Sequence, residues 1–175
     1  MTKWTVDASH TNISFSVKHM MVSKVRGNFG GFEGTIDGNI EDLTGAAIDF
    51  KIDASSINTN SVDRDNHLRS ADFFDTETYP AITFTATDIV KKGGNKYDLN
   101  GDITIKDVTK KITFEAEFEG IGKNPWGVEV AAFEAETKIS RKEFGLTWNQ
   151  LLETGGALVG DDIKITLELQ FNPAQ

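Results

Sequence analysis

The chain has 175 residues, 38% of them hydrophobic and 26% charged, and a net charge of −9. That composition is globular, with material for one sizeable core, and it excludes a disordered chain. The acidic balance excludes nucleic acid, whose backbone needs a basic footprint, and attachment to an anionic membrane by net charge alone. No cysteine is present, so there is no disulfide, thiolate nucleophile or thiolate metal site. No run reaches the roughly eighteen apolar residues of a membrane span. Met1-Thr2-Lys3-Trp4 enters a strand-like run with no apolar signal region, so the expected location is cytoplasmic.

In chain order, period-two alternation dominates. Ile13, Phe15 and Val17 alternate with Ser14, Ser16 and Lys18. Ile48, Phe50 and Ile52 alternate with Asp49, Lys51 and Asp53. Ile82, Phe84 and Ala86 follow, then Leu99, Gly101, Ile103 and Ile105, then Ile112, Phe114, Ala116 and Phe118. The last strand sets Ile163, Ile165, Leu167, Leu169 and Phe171 against Lys164, Thr166, Glu168 and Gln170. One buried and one solvated face is the pattern of antiparallel sheet. Phe29 and Phe32 differ in parity across Gly30-Gly31, and Val128 and Val130 differ from Phe133, Ala135 and Ile139. Each slip predicts a β-bulge or sharp bend.

Turns are expected at Asp37-Gly38-Asn39, Lys92-Gly93-Gly94-Asn95, Lys106-Asp107 and Gly122-Lys123-Asn124-Pro125. Ser61 can cap a short helix running to about Ser70, with Asp63 in its first turn. A second short helix is expected near Trp148 to Glu153. The expected fold is all-β: about eight antiparallel strands closed as a barrel, one or two short helices, and residues 1–175 as a single domain. A two-sheet sandwich is the alternative.

Residues 63–75, Asp63-Arg64-Asp65-Asn66-His67-Leu68-Arg69-Ser70-Ala71-Asp72-Phe73-Phe74-Asp75, crowd charge, imidazole and paired Phe into a plain strand pattern. Such insertions usually carry function. Asp63 and His67 stand one helical turn apart. His10, His19 and His67 have no HExxH spacing, so no metal is expected. Arg64 and Arg69 among Asp63, Asp65 and Asp72 are expected to form ion pairs pinning the helix, with Arg64 the better anion ligand. The glycines at 27, 30, 31 and 34 match no phosphate-binding loop, and no Ser or Thr sits in a GxSxG elbow. No catalytic residue and no cofactor is expected. The inward phase carries small residues, Ala86, Gly101, Ala116 and Ala132. Either they leave a hollow, or each faces a large partner in a solid core.

The chain resembles the YceI-like, polyisoprenoid-binding family along nearly its whole length. The resemblance rests on Trp4-Thr5-Val6-Asp7 with Ser9-His10, on residues 13–19 and 24–29, on residues 63–75 with Tyr79-Pro80-Ala81-Ile82-Thr83-Phe84, and on Arg141-Lys142-Glu143-Phe144-Gly145-Leu146, Trp148-Asn149 and Gly155-Gly156. It implies a lipocalin-like barrel holding a long-chain isoprenoid lipid, a polyprenyl phosphate or an isoprenoid quinone or its precursor, as carrier, store or sensor. The implied tail lining is Phe15, Val17, Phe29, Phe32, Phe73, Phe74, Phe84, Phe114, Ala116, Phe118 and Phe133, with Ala116→Phe expected to block the channel. The implied head contacts are Arg26, Arg64, His67 and Arg141. The resemblance admits a homodimer, for which the sequence locates no interface. Two rival readings are an isoprenoid-modifying enzyme using His67 and Asp63, and a solid-core, stress-related interaction protein.

Overall fold

The computed structural model describes residues 2–20, 22–149 and 159–174. Among them run eleven strand segments: β1 (Thr2–Val6), β2 (Asn12–His19), β3 (Ser23–Phe29), β4 (Phe32–Asn39), β5 (Asp42–Asp53), β6 (Ile57–Asn58), β7 (Ala81–Gly93), β8 (Lys96–Ile105), β9 (Val108–Lys123), β10 (Glu129–Ser140) and β11 (Val159–Pro173). One α-helix, α1 (Val62–Arg69), lies between β6 and β7. All pairings are antiparallel. The order β1-β4-β5-β7-β8-β9-β10-β11 closes on itself through β1 and β11, giving an eight-stranded barrel.

The closure is divided along β11. Phe171 to Pro173 pair with β1, while Val159 to Glu168 pair with β2 along the same edge. The chain therefore bends between β1 and β2, at a 3-10 turn over Ala8–His10 capped by the Asp7 carboxylate. A matching bend at Gly30-Gly31 separates β3 from β4. That slip in parity is a corner between two strands rather than a bulge within one. It is tied down by the Asp53 amide, which donates to the Gly31 carbonyl at 2.8 Å. β2, β3 and β6 thus extend the wall beyond the ring that contains β1 and β4.

The second expected slip lies across the pair rather than on β10. Ala131, Phe133, Ala135 and Ile139 keep one inward phase, while Glu119 is the extra residue on β9 between Phe118 and Gly120. Gly120, at φ 127°, takes the backbone conformation that the bulge requires.

Ser61 caps α1, its hydroxyl accepting from the Arg64 amide. The expected second helix is absent at Trp148 and Asn149, which are irregular; residues 150–153, like Gly155 and Gly156, lie outside the described residues. The local turn is instead a 3-10 helix at Arg141–Phe144, ended by Gly145 at φ 77°. No helix among the described residues is long and apolar enough to cross a membrane.

Candidate functional site

The barrel is plugged by aromatic side chains towards one end, where a more open and more polar pocket lies outside the plug against Trp4 and Ile121, and is hollow towards the other. Trp4, Ala131, Phe133 and Phe171 pack the end where β1 closes on β11, with Phe133 5.0 Å from Phe118 and 5.9 Å from Phe171 between ring centroids. Above this plug is a cavity of about 460 Å³, within the size range of small-molecule pockets. Its wall is almost wholly aliphatic and aromatic. The polar exceptions are Ser14, His19, Asp63, Arg64, His67 and Arg141. Most of these belong to α1, to the end of β2 beside the start of β11, and to the Arg141 turn, so polarity is concentrated at one end.

Three glycines help to keep the lumen open. Gly27 faces Phe15 across β3 and β2, and Gly34 faces Phe50 across β4 and β5. Gly101 lies beneath Phe84. A Cβ on these glycines would come within 2.6 Å of the Phe15 ring, closer still to the Phe50 ring, and, at position 101, against the Thr85 carbonyl and within 2.7 Å of the Phe84 ring. Each ring can lie against the wall only because the residue under it has no side chain. The small residue at position 101 therefore does face a large partner, yet the ring it accommodates is itself cavity wall.

Phe15, Val17, Phe29, Phe73, Phe74, Phe84 and Phe114 line the cavity. Phe32, Ala116, Phe118 and Phe133 do not. Phe32 packs against the core without reaching the lumen, and the other three belong to the plug or its border. Alternation gives the inward face but not the height along the barrel, and the plug and lumen share one phase. Ala116→Phe would accordingly overpack the solid end rather than block the channel. The aliphatic half of the wall, including Ile13, Ile103, Ile139 and Ile165, lies outside the expected lining although it obeys the same alternation.

Of the expected head contacts, Arg26 points outward on β3 and is exposed. Arg141 reaches the wall, but the residue is 2% exposed and its guanidinium donates to the carbonyls of Gly160, Leu146, Trp148 and Val159. It holds the chain rather than presenting free donors. Burial lowers its pKa, opposed by neighbouring Asp161.

Arg64 and His67 do stand at the cavity. The Arg64 Nε donates to Thr59 Oγ1 at 2.8 Å and Nη2 to the Thr59 carbonyl at 2.7 Å. The Thr59 hydroxyl in turn donates to Asp65 Oδ1, which also accepts from the Thr59 amide at 2.8 Å. The Arg64 head is thereby fixed, with Nη1 making no hydrogen bond among the described residues. The expected ion pairs of Arg64 and Arg69 are replaced by bonds to Thr59 and, for Arg69, to Asn66 and the carbonyls of Ser55 and Ile57. His67 pairs through Nε2 with Asp72 at 2.9 Å, not with Asp63. Its ring stands edge-on to Phe73 at 5.1 Å and to Trp148 at 4.6 Å. Among the described residues, no three His, Cys, Asp or Glu side chains gather as a metal site.

A closed antiparallel barrel with a plug at one end and an apolar lumen at the other defines a lipocalin-like architecture. The YceI-like domain matches residues 4–171, and the chain belongs to that family. It is 43% identical over 173 residues to a UPF0312 protein of Staphylococcus epidermidis, and 40% to one of Staphylococcus aureus, covering 98% of each chain in both cases. The YceI protein of Campylobacter jejuni aligns with a TM-score of 0.76 at 32% identity, over 90% of both chains. Two more distant structures share the fold. Burkholderia cenocepacia BcnA has a TM-score of 0.82 at 24% identity, covering 94% of this chain and 98% of its own. A polyisoprenoid-binding domain from Saccharophagus degradans has 0.76 at 14%, covering 99% and 100%.

Proposed function

We propose that the barrel binds one long-chain isoprenoid lipid, a polyprenyl phosphate or an isoprenoid quinone or its precursor, as a carrier, store or sensor rather than as an enzyme. The observation that carries this reading is the lumen itself: an apolar cavity of about 460 Å³ with its polar groups concentrated at one end. That asymmetry suits an amphiphile, its tail against Phe84, Phe114 and Leu169 and its head near Arg64 and His67. The polyisoprenoid-binding domain of the same fold supports the ligand class. Burying about twenty methylene equivalents at about 0.8 kcal/mol each gives about 16 kcal/mol gross. Ordering and association costs are set against that figure, and the tail still supplies most of the affinity. A few polar groups at the entrance then set orientation.

Native mass spectrometry of protein purified from its host, followed by organic extraction, is expected to show a stoichiometric isoprenoid. Val17→Trp and Ala135→Leu both add bulk to the lumen wall. Each is expected to fold and to lose titratable uptake. Bare protein that refuses polyprenyl phosphates and isoprenoid quinones alike would end the reading. Chemical conversion of a bound lipid, abolished in His67→Ala with binding intact, would replace it with an enzymatic one.

A further inference from the structure

All 27 Asp and Glu of the chain lie outside residues 8–32. That stretch forms β2, β3 and the turn between them. Its outward face carries Lys18 opposite Lys24, with Arg26 opposite Ser16, and all three cations are exposed. The turn exposes apolar side chains: Met20 is 46% exposed and Val22 87%. Val62, the first residue of α1, is 75% exposed. Two of these residues adjoin the polar end of the cavity. Met20 follows His19, and Val62 precedes Asp63 and Arg64, all of which line the wall.

We infer that the β2–β3 turn docks the barrel on an anionic lipid bilayer, with Met20, Val22 and Val62 entering the headgroup layer and Lys18, Lys24 and Arg26 facing lipid phosphates. Exposed apolar side chains beside a basic face match an anionic interface, where each Lys or Arg near the surface contributes about a fivefold gain in partitioning. The net charge of −9 disfavours adsorption by the acidic faces, and the nearest carboxylates to this one are Asp63 beside Val62 and Asp161 and Asp162 on β11 beside Lys18, so the carboxylate-free β2–β3 pair orients the molecule. The opposite tip shows the contrast. Trp126 is 82% exposed and Val128 43%, but the strands leading to that turn carry Glu117, Glu119, Glu129 and Glu134. This inference goes beyond the lumen reading and does not depend on it, because docking is measured on the surface of vesicles without any isoprenoid.

The test is cosedimentation with vesicles of phosphatidylcholine alone and of phosphatidylglycerol mixed with phosphatidylcholine in equal parts, at low and high salt. Binding is expected only to the anionic vesicles, weakening with salt. Reversing Lys18, Lys24 and Arg26 to Glu is expected to weaken it on the order of a hundredfold or more. Val22→Asp and Met20→Asp, both at exposed turn positions, are expected to abolish it, with circular dichroism unchanged. Met20 sits at φ 53°, a backbone conformation Asp tolerates. Trp126→Ser is expected to bind as the parent does. The inference is overturned by a parent protein that stays in the supernatant at low salt. It is equally overturned by turn variants that sediment unchanged, or by loss of binding in Trp126→Ser.

Discussion

Arg141 and Thr59 decide how the polar end of the barrel is held. The Arg141 guanidinium is spent on four carbonyls from two chain segments, including Leu146 and Val159. Removing it leaves buried acceptors unpaired, so Arg141→Met is expected to cost on the order of 3 kcal/mol in urea unfolding, with Arg141→Lys recovering only part. Thr59 is 3% exposed and Asp65 7%, and together they fix Arg64. Asp65→Ala is expected to cost about 2 to 3 kcal/mol and to free the Arg64 side chain. The sequence carries the cap at Ser61 in plain view, because capping is local chemistry. It does not distinguish Arg141 from an exposed arginine, because two of the four carbonyls that claim it, those of Val159 and Gly160, lie on a strand eighteen and nineteen residues away.

At the scale of the strand, inward glycines set the width of the lumen. A Cβ at position 101 would press on the Thr85 carbonyl of the neighbouring strand as well as on the Phe84 ring, so Gly101→Ala is expected to strain the β7–β8 pair and push Phe84 inward, at a cost of about 1 to 3 kcal/mol. Its second consequence is a smaller lumen, seen as weaker uptake of an apolar fluorophore. On the outer face of β9, β10 and β11 the carboxylates are misaligned with one another's needs. Glu134 stands opposite Glu117 on one side and Glu168 on the other, and Glu136 opposite Glu115. Glu119, foremost among these neighbours, raises the Glu134 pKa. The folded chain therefore holds that proton more tightly than the unfolded chain. The site favours folding in acid and loses that contribution as pH rises through the raised value. Glu134→Gln is expected to raise Tm at neutral pH and low salt, with the gain vanishing in high salt. Strand alternation exposes these carboxylates in the sequence; only the register shows that they face each other.

For the molecule as a whole, Asp7, Asp42 and Asp161 act in the opposite sense. Hydrogen bonds from Ser9, Thr44 and Ser140 respectively are the leading causes that hold them below the ordinary value of 3.8. Their stabilisation is present above that value and disappears as pH falls through the lowered ones. Calorimetry from neutral pH into acid is expected to show a small gain as Glu134 protonates, then a loss below 3.8 as Asp7, Asp42 and Asp161 protonate. A Tm already falling well above that point would contradict the assignment. The barrel is legible in the alternation of strands such as β11, whose inward residues stand in order in the sequence, and α1 in its Ser61 cap. The division into plug and lumen is not, because Phe118 and Phe84 obey the same parity and differ only in height. Height depends on the stagger of the strands and on where β1 gives way to β2 along β11, which no local pattern encodes.

The plug of Phe133 and Phe171 makes the lumen a blind tube, and a blind tube imposes an order of events on any chain-like guest. The guest enters end-first, and the water it displaces must leave past it by the same opening. Departure reverses the sequence, with the deepest segment last to escape. Entry is then nearly indifferent to the length of the guest, while escape slows with each added unit until the tube is full. Residence time, more than the speed of capture, becomes the quantity by which such a barrel tells a long guest from a short one.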